Sequence, residues 1–301
     1  MRSHLAATLA IISVLFIAVF SGMTIARIIS SNAPPQVVFA LGVSYRDMSY
    51  CNSQTLDLYV PRQAATRPLP LAVFVHGGGM TAGDKADINP ALLNALASAG
   101  YAVASVNYRL APVFKFPAQI EDVKCAIRFL RNKSAAFGLS STDVFAFGTS
   151  VGGQLAALAA LTGPRSAFDV GPFAQYSSRV EAVVDLFGPV NLTEDAGFSS
   201  SDVQKVFPAN YDLRLASPSH FVAQGAPPIL IIQGVDDAKV PPAQSTELYN
   251  ELRSAGDRAE LVLVQNMGHM FAQVGPNPVR PSLGQIADDV VRFFNASEGG
   301  Q

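Results

Sequence analysis

Residues 144–161 read VFAFGTSVGGQLAALAAL. Val144 to Phe147 is a short apolar run of strand-favouring residues that stops at Gly148. From Val151 onward small residues and leucines take over (Leu155, Ala156, Leu158, Ala159), the composition of a buried helix. Between the two lies Gly148-Thr149-Ser150-Val151-Gly152, which fits G-x-S-x-G. A strand that turns abruptly into a helix holds its turning residue in a strained conformation and leaves no room for side chains beside it. Such a turn lifts the Ser150 hydroxyl clear of the sheet, at the positive end of the following helix. Chance alone can produce the pattern in a glycine-rich chain. Ser98 and Ser254 each precede Ala-Gly, but Leu96 and Leu252 stand where the first glycine is required. Only Ser150 has a strand before it and a helix after it.

Outward from this stretch, the chain alternates strand and helix. Leu71 to Val75 is a continuous apolar run, expected for a strand buried on both faces, and it ends in His76-Gly77-Gly78-Gly79. A helix over Pro90 to Ala99 precedes a strand over Tyr101 to Val106. Ile120, Val123, Ile127 and Leu130 share one helical face, with charged Glu121, Lys124, Arg128 and Arg131 off it. Strands follow at Val180 to Phe187, Pro228 to Ile232 and Ala259 to Val264, and helices at Gln244 to Ala255 and Leu283 to Asn295. Before this series, Val37 to Tyr59 reads as two antiparallel edge strands. The expected class is α/β: a mainly parallel, eight-stranded sheet with helices on both faces and its site at the carboxyl ends of the strands. The alternation stops between Asn191 and His220, an irregular polar stretch that reads either as an insertion beside the site or as a plain excursion.

Length and composition bound the rest. The chain has 301 residues, 49% hydrophobic and 15% charged, with a formal net charge of -2, which suits one large α/β domain and is short for two. That charge balance leaves no electrostatic footprint for nucleic acid. The four histidines and two cysteines have no metal-ligand spacing, so neither a metal nor another cofactor is expected. Cys51 and Cys125 are able to bridge only in an oxidising compartment, and Cys125 reads as a small buried hydrophobe on an apolar helix face. Residues 1–35 stand apart from the domain at 36–301. Leu5 to Ala26 carries no charge and is long enough for a bilayer span, with a polar linker after it. An uncleaved membrane anchor is favoured over a removed signal, because Pro34 follows the weak Ser31-Asn32-Ala33 cleavage sequence. Either reading puts the folded domain outside the cytoplasm, membrane-anchored or, with the leader cleaved, secreted or periplasmic.

A serine nucleophile needs a general base within hydrogen-bond reach. Of the four histidines, His4 precedes the apolar segment, His76 is held in the glycine loop and His220 lies in the irregular stretch. His269 follows the last strand, at the edge where the site is expected, and is the candidate base. Asp236 and Asp237, after the strand ending at Ile232, offer the carboxylate that would orient the imidazole; spacing does not choose between them. Backbone N–H groups of Gly78, Gly79 and Val151 are candidates to hold an oxyanion. The same loop lacks the sequence of a phosphate cradle, since no Gly-Lys-Ser/Thr follows it.

The order glycine loop, Ser150, acid, His269 resembles the α/β-hydrolase superfamily, close to the esterase/lipase branch with its hormone-sensitive-lipase-like and bacterial feruloyl or acetylxylan esterase-like members. The resemblance runs from about Val43 to Phe294 and rests on LDLYVP at 56–61, HGGGMTAGDK at 76–85, VNYRLAP at 106–112, the stretch 116–139, GTSVGG at 148–153, VDDAKVP at 235–241 and GHMF at 268–271. It implies the α/β-hydrolase fold, assigns the acid to Asp237 by the family's D-x-x-V-P segment, and implies hydrolysis of short to medium acyl esters. Amide or formamide cleavage on the same residues, and a non-catalytic receptor on the same fold, are the alternatives. Thr149 and Val151 replace the family's usual acidic residue and alanine around the serine, Met80 replaces an aromatic after the glycines, and Gln233 a frequent histidine. Met80 and Val151 are expected to border the acyl pocket, and Met80, Thr149 and Asn191 are the substrate-pocket candidates.

Overall fold

The computed structural model describes residues 36–38, 43–61 and 67–299. The apolar segment Leu5 to Ala26 and its linker lie outside the described residues, among which no helix is long and apolar enough to cross a membrane.

One nine-stranded sheet organises the chain: β1 (Gln36–Val38), β2 (Val43–Ser49), β3 (Thr55–Pro61), β4 (Leu69–Val75), β5 (Ala102–Val106), β6 (Leu139–Thr149), β7 (Val183–Leu186), β8 (Ile229–Gly234) and β9 (Ala259–Val264). Their spatial order is β1-β2-β3-β5-β4-β6-β7-β8-β9. From β5 to β9 every pairing is parallel, while β1, β2 and β3 close the other edge with antiparallel pairs. The eight expected strands are all present, and the short β1 is a ninth outside β2.

Period-two alternation builds two cores from each central strand. In β4, Leu71, Val73 and Val75 join one apolar cluster and Ala72 and Phe74 the other. The first cluster takes in α2 (Ala118–Phe137), α3 (Val151–Leu161) and α5 (Pro242–Ser254); the second takes in α1 (Pro90–Ser98) and α6 (Leu283–Asn295). Local chemistry sets the helix ends. Asn89 caps α1 through the Ala91 amide with Pro90 in its first turn, Gly138 ends α2 at φ 67°, and Ser282 and Gln285 form a capping box on α6.

Two features of the packed chain lie beyond what helical periodicity encodes. Lys124 and Arg128 are buried, because the irregular segment after α3 folds back over α2 and brings Asp169 to 3.0 Å from Lys124 Nζ and 2.7 Å from an Arg128 nitrogen. Cys125 is no simple buried hydrophobe: it is bridged to Cys51, 74 residues earlier, with 6.2 Å between their Cα atoms. The bridge depends on a 3-10 turn (Cys51–Ser53) meeting the side of α2, a tertiary approach that helical periodicity does not encode.

The stretch from Asn191 to His220 is not irregular throughout. It contains α4 (Ser200–Val206), capped by Ser199 and Asp202, and two short 3-10 turns, and it stands over the carboxyl edge of the sheet.

Candidate active site

Ser150 sits between β6 and α3 with φ 55° and ψ -129°, a conformation that costs a residue with a Cβ roughly 1–3 kcal/mol. The turn is held because its neighbours cannot move. A Cβ on Gly148 would stand 2.3 Å from the Gly152 carbonyl, and one on Gly152 would stand 2.1 Å from Val75 O. The Ser150 amide donates to Leu186 O at 2.8 Å, which ties the turn to the end of β7. Its side chain is left at the floor of a cavity.

His269 reaches that hydroxyl from a 3-10 turn beyond β9. Its Nε2 lies 3.0 Å from Ser150 Oγ, and its Nδ1 lies 2.8 Å from Asp237 Oδ2. The Phe187 ring meets the imidazole edge-on at 5.1 Å, and Phe271 packs on Phe187 in turn. The histidine and the serine thus lean on adjacent residues of one turn, Phe187 and Leu186.

Asp237 is buried after β8. Burial acts to raise its carboxyl, but the His269 hydrogen bond and the amides of Val240 and Lys239 outweigh that and hold it below the usual carboxylate value. Its Oδ1 accepts from Lys239 N at 2.8 Å and Val240 N at 2.9 Å. Gln233, the residue standing for a frequent histidine, donates to Asp237 Oδ2 at 3.2 Å and accepts from Ser245 Oγ at 2.9 Å. The sequence assigns Gln233 no part in the site; the signal for one is its position at the end of β8, four residues before the acid. Asp236 is exposed and points elsewhere, so the adjacent pair resolves as Asp237 inside and Asp236 outside. His76 and His220 stay apart from this relay. Burial pushes the His76 imidazole down, its Nδ1–H donates to Gly77 O at 2.7 Å, and its ring stacks on Tyr108 at 4.1 Å; His220 lies against Phe221.

The glycine loop faces the serine across the cavity. Gly78 has φ 103°, and a Cβ there would stand 2.2 Å from Ala82 O, so only glycine fits. Gly78 O accepts from the Thr81 and Ala82 amides, while Tyr108 donates to the carbonyls of His76 and Gly77 at 3.0 and 3.2 Å. Gly78, Gly79 and Val151 all line the cavity beside Ser150 and His269. Its volume is about 530 Å³. Pro189, Ala196, Phe198, Val240 and Met270 give it an apolar wall, and Asp87, Asp202 and Lys239 a charged rim. Ala196, Gly197, Phe198 and Asp202 belong to the stretch after Asn191, which therefore contributes to the pocket.

The three other pocket expectations are corrected. Met80 turns inward at φ 60° and is fully buried in the apolar core, its carbonyl accepting from Ala111 N. Thr149 is the last residue of β6 and is buried against Gly77. Asn191 holds the base of the insertion to α5, donating to Glu247 Oε1 at 2.8 Å and receiving the Gln244 side chain. None of the three lines the cavity. Among the described residues, no group of three or more His, Cys, Asp or Glu is arranged to hold a metal ion.

With this geometry in view, comparison with known proteins places the chain. Residues 56–252, well over half of it, match the BD-FAE family. The chain belongs to the BD-FAE family. The BD-FAE match is accompanied by similarity to Esterase LipC of Mycobacterium tuberculosis, 30% identical over 264 residues, covering 79% of this chain and 66% of LipC. Isoprenylcysteine alpha-carbonyl methylesterase ICME of Arabidopsis thaliana is 27% identical over 259 residues, covering 81% of this chain and 60% of that protein. The chain spans roughly half to two thirds of the curated relatives it matches. Among solved structures, a truncated carbohydrate esterase from gut microbiota aligns with a TM-score of 0.71 at 29% identity, over 83% of this chain and 94% of that one. Thermogutta terrifontis esterase 2, solved phosphorylated by paraoxon, aligns with a TM-score of 0.69 at 24% identity, over 86% and 95% of the two chains, and shares the fold. The fold of this BD-FAE chain is that of the α/β-hydrolases.

Proposed function

We propose that this protein is a serine hydrolase that cleaves carboxylic esters of short to medium acyl chain through an acyl-enzyme. One observation carries the reading: a single imidazole is hydrogen-bonded to a strained, cavity-floor serine at 3.0 Å and to a buried carboxylate at 2.8 Å. Ser150 Oγ attacks the ester carbonyl while His269 Nε2 takes its proton. Asp237 fixes the tautomer and steadies the imidazolium. The negative oxygen of the tetrahedral intermediate is received by the amides of Gly78, Gly79 and Val151, a role supported by the side-chain-free loop facing Ser150. His269 then gives its proton to the departing alkoxide, and the alcohol leaves. Water attacks the acyl-serine as His269 takes its proton; collapse releases the carboxylic acid and restores the Ser150 hydroxyl.

The apolar wall suits an acyl chain, and the esterase names of the relatives agree with that chemistry. Location outside the cytoplasm, with the apolar segment Leu5 to Ala26 as a membrane anchor, is part of the same proposal. It is supported by that segment and by the Cys51–Cys125 bridge, which persists in oxidising compartments.

The test is covalent labelling with a fluorophosphonate, together with turnover of p-nitrophenyl esters graded by acyl length. Labelling and turnover that vanish in Ser150→Ala are the expected result. A wild-type chain that neither labels nor hydrolyses any of these esters overturns the reading. Protease protection of the full chain in sealed vesicles reads out the sidedness of the domain.

A further inference from the structure

A buried carboxyl close to the relay takes no part in it. Asp185 lies in β7, paired with Gly148 of β6, and is wholly inaccessible to solvent. Its Oδ1 accepts from the Gly188 amide at 2.9 Å, while its Oδ2 has no hydrogen-bond partner among the described residues. The carboxyl fills a space that two glycines leave open. A Cβ on Gly153, in the first turn of α3, would stand 2.0 Å from Asp185 Oδ1, and one on Gly188 would stand 2.3 Å from the same atom. A Cβ on Gly188 would also stand 2.7 Å from the Gln154 amide, so the turn and the helix are in contact there.

What this carboxyl closes is the turn from Asp185 to Gly188. Within it Phe187 has φ 48°, a left-handed conformation unusual for a bulky side chain that persists only when its surroundings hold it. The two residues inside the turn each touch one member of the relay: Leu186 O receives the Ser150 amide at 2.8 Å, and the Phe187 ring meets the His269 imidazole.

We propose that Asp185 is a positioning residue for the Ser150–His269 pair. Its carboxyl closes the Asp185–Gly188 turn, which sets the nucleophile through Leu186 and the base through Phe187. The inference rests on the proposed roles of Ser150 and His269. Asp185 touches no reacting atom; it acts by keeping Oγ and Nε2 at bonding distance, where a displacement of an ångström is felt in the chemical step.

Asp185→Ala removes the acceptor, and Asp185→Asn keeps it, because the amide oxygen receives the Gly188 N–H as well. Both are compared in the full chain by p-nitrophenyl acetate turnover per serine titrated with fluorophosphonate, a count restricted to folded sites. Asp185→Ala is expected to lower kcat per titrated serine by about tenfold to a hundredfold, as for a small misplacement of reacting groups, with little change in KM. Asp185→Asn is expected to return most of that loss. A merely structural carboxyl would lower the number of titrated serines and leave kcat per serine unchanged, which overturns the inference. Equal impairment by Asp185→Asn overturns it too. Asp185→Leu, which occupies the space without an acceptor, makes the same comparison if the alanine chain does not fold. Absence of labelling and turnover in the wild type overturns the esterase reading itself and this inference with it, an outcome distinct from an active wild type with equally active variants.

Discussion

Gly152 lies against Val75 so closely that a methyl group in place of its hydrogen would sit 2.1 Å from the Val75 carbonyl oxygen and 2.5 Å from that of His76. Both are backbone atoms, one of them at the end of a central strand, so neither can rotate away. The last glycine of the G-x-S-x-G motif is therefore where α3 is pressed onto β4. Gly152→Ala is expected to destabilise the fold by about 2 kcal/mol or more, the scale of core overpacking, and to displace Ser150. Thermal melts beside fluorophosphonate labelling check this; an unchanged melting temperature with full labelling refutes it.

The acid of the relay makes a sharper prediction about chemistry. Asp237→Asn keeps the shape but loses the charge that fixes the His269 tautomer, so kcat is expected to fall by about 10³- to 10⁴-fold with KM little changed. Asp236→Asn, one residue away and exposed, is expected to leave both constants near wild type. Steady-state kinetics on one ester separates the pair, and the reverse ranking would reassign the acid.

Burial pushes the Asp185 carboxyl up to about 7, from an ordinary 3.8, and the Gly188 amide only partly counters it. The raised value fixes the sign. The stability tied to its neutral form is fully present below pH 3.8 and is lost as pH rises toward 7, at most on the order of 4 kcal/mol. Asp185→Asn cannot ionise, so its stability relative to wild type is expected to increase from pH 4 to 7.5. Denaturant melts across that range measure the difference, and two parallel stability curves would remove the explanation.

The Cys51–Cys125 bridge closes a loop 74 residues apart in sequence, for which chain entropy gives about 4 kcal/mol, the upper part of a typical range of about 2–4 kcal/mol. Reduction, or replacement of both cysteines by serine, is expected to lower unfolding stability within that range. Chemical denaturation with and without reductant provides the comparison.

Much of this was legible from the residues because it is local or periodic. The strand-to-helix change around Ser150, the apolar run ending in the glycine loop, and the position of His269 after the last strand all follow from short-range chemistry. What was not legible depends on which segments meet. Lys124 and Arg128 sit on the expected helix, yet their burial is decided by Asp169, some forty residues on, in a segment with no periodicity of its own. Adjacency to the glycines points Met80 to the pocket, but a left-handed backbone turns it into the core instead. Asn191 marks the start of the insertion correctly, but the wall is built by Phe198 and its neighbours, brought round by α4. In the sequence Gln233 is only a departure at one position; beside Asp237 it is a hydrogen-bond donor to the acid.

The Ser150–His269 contact joins residues 119 apart in the chain, and the imidazole lies beyond β9 in sequence. A growing polypeptide therefore carries Ser150 through 119 further residues before the imidazole that bonds it has been made. A stalled or clipped product that ends before the last strand holds the serine without its paired base, and under the proposed chemistry leaves no stray nucleophile at work.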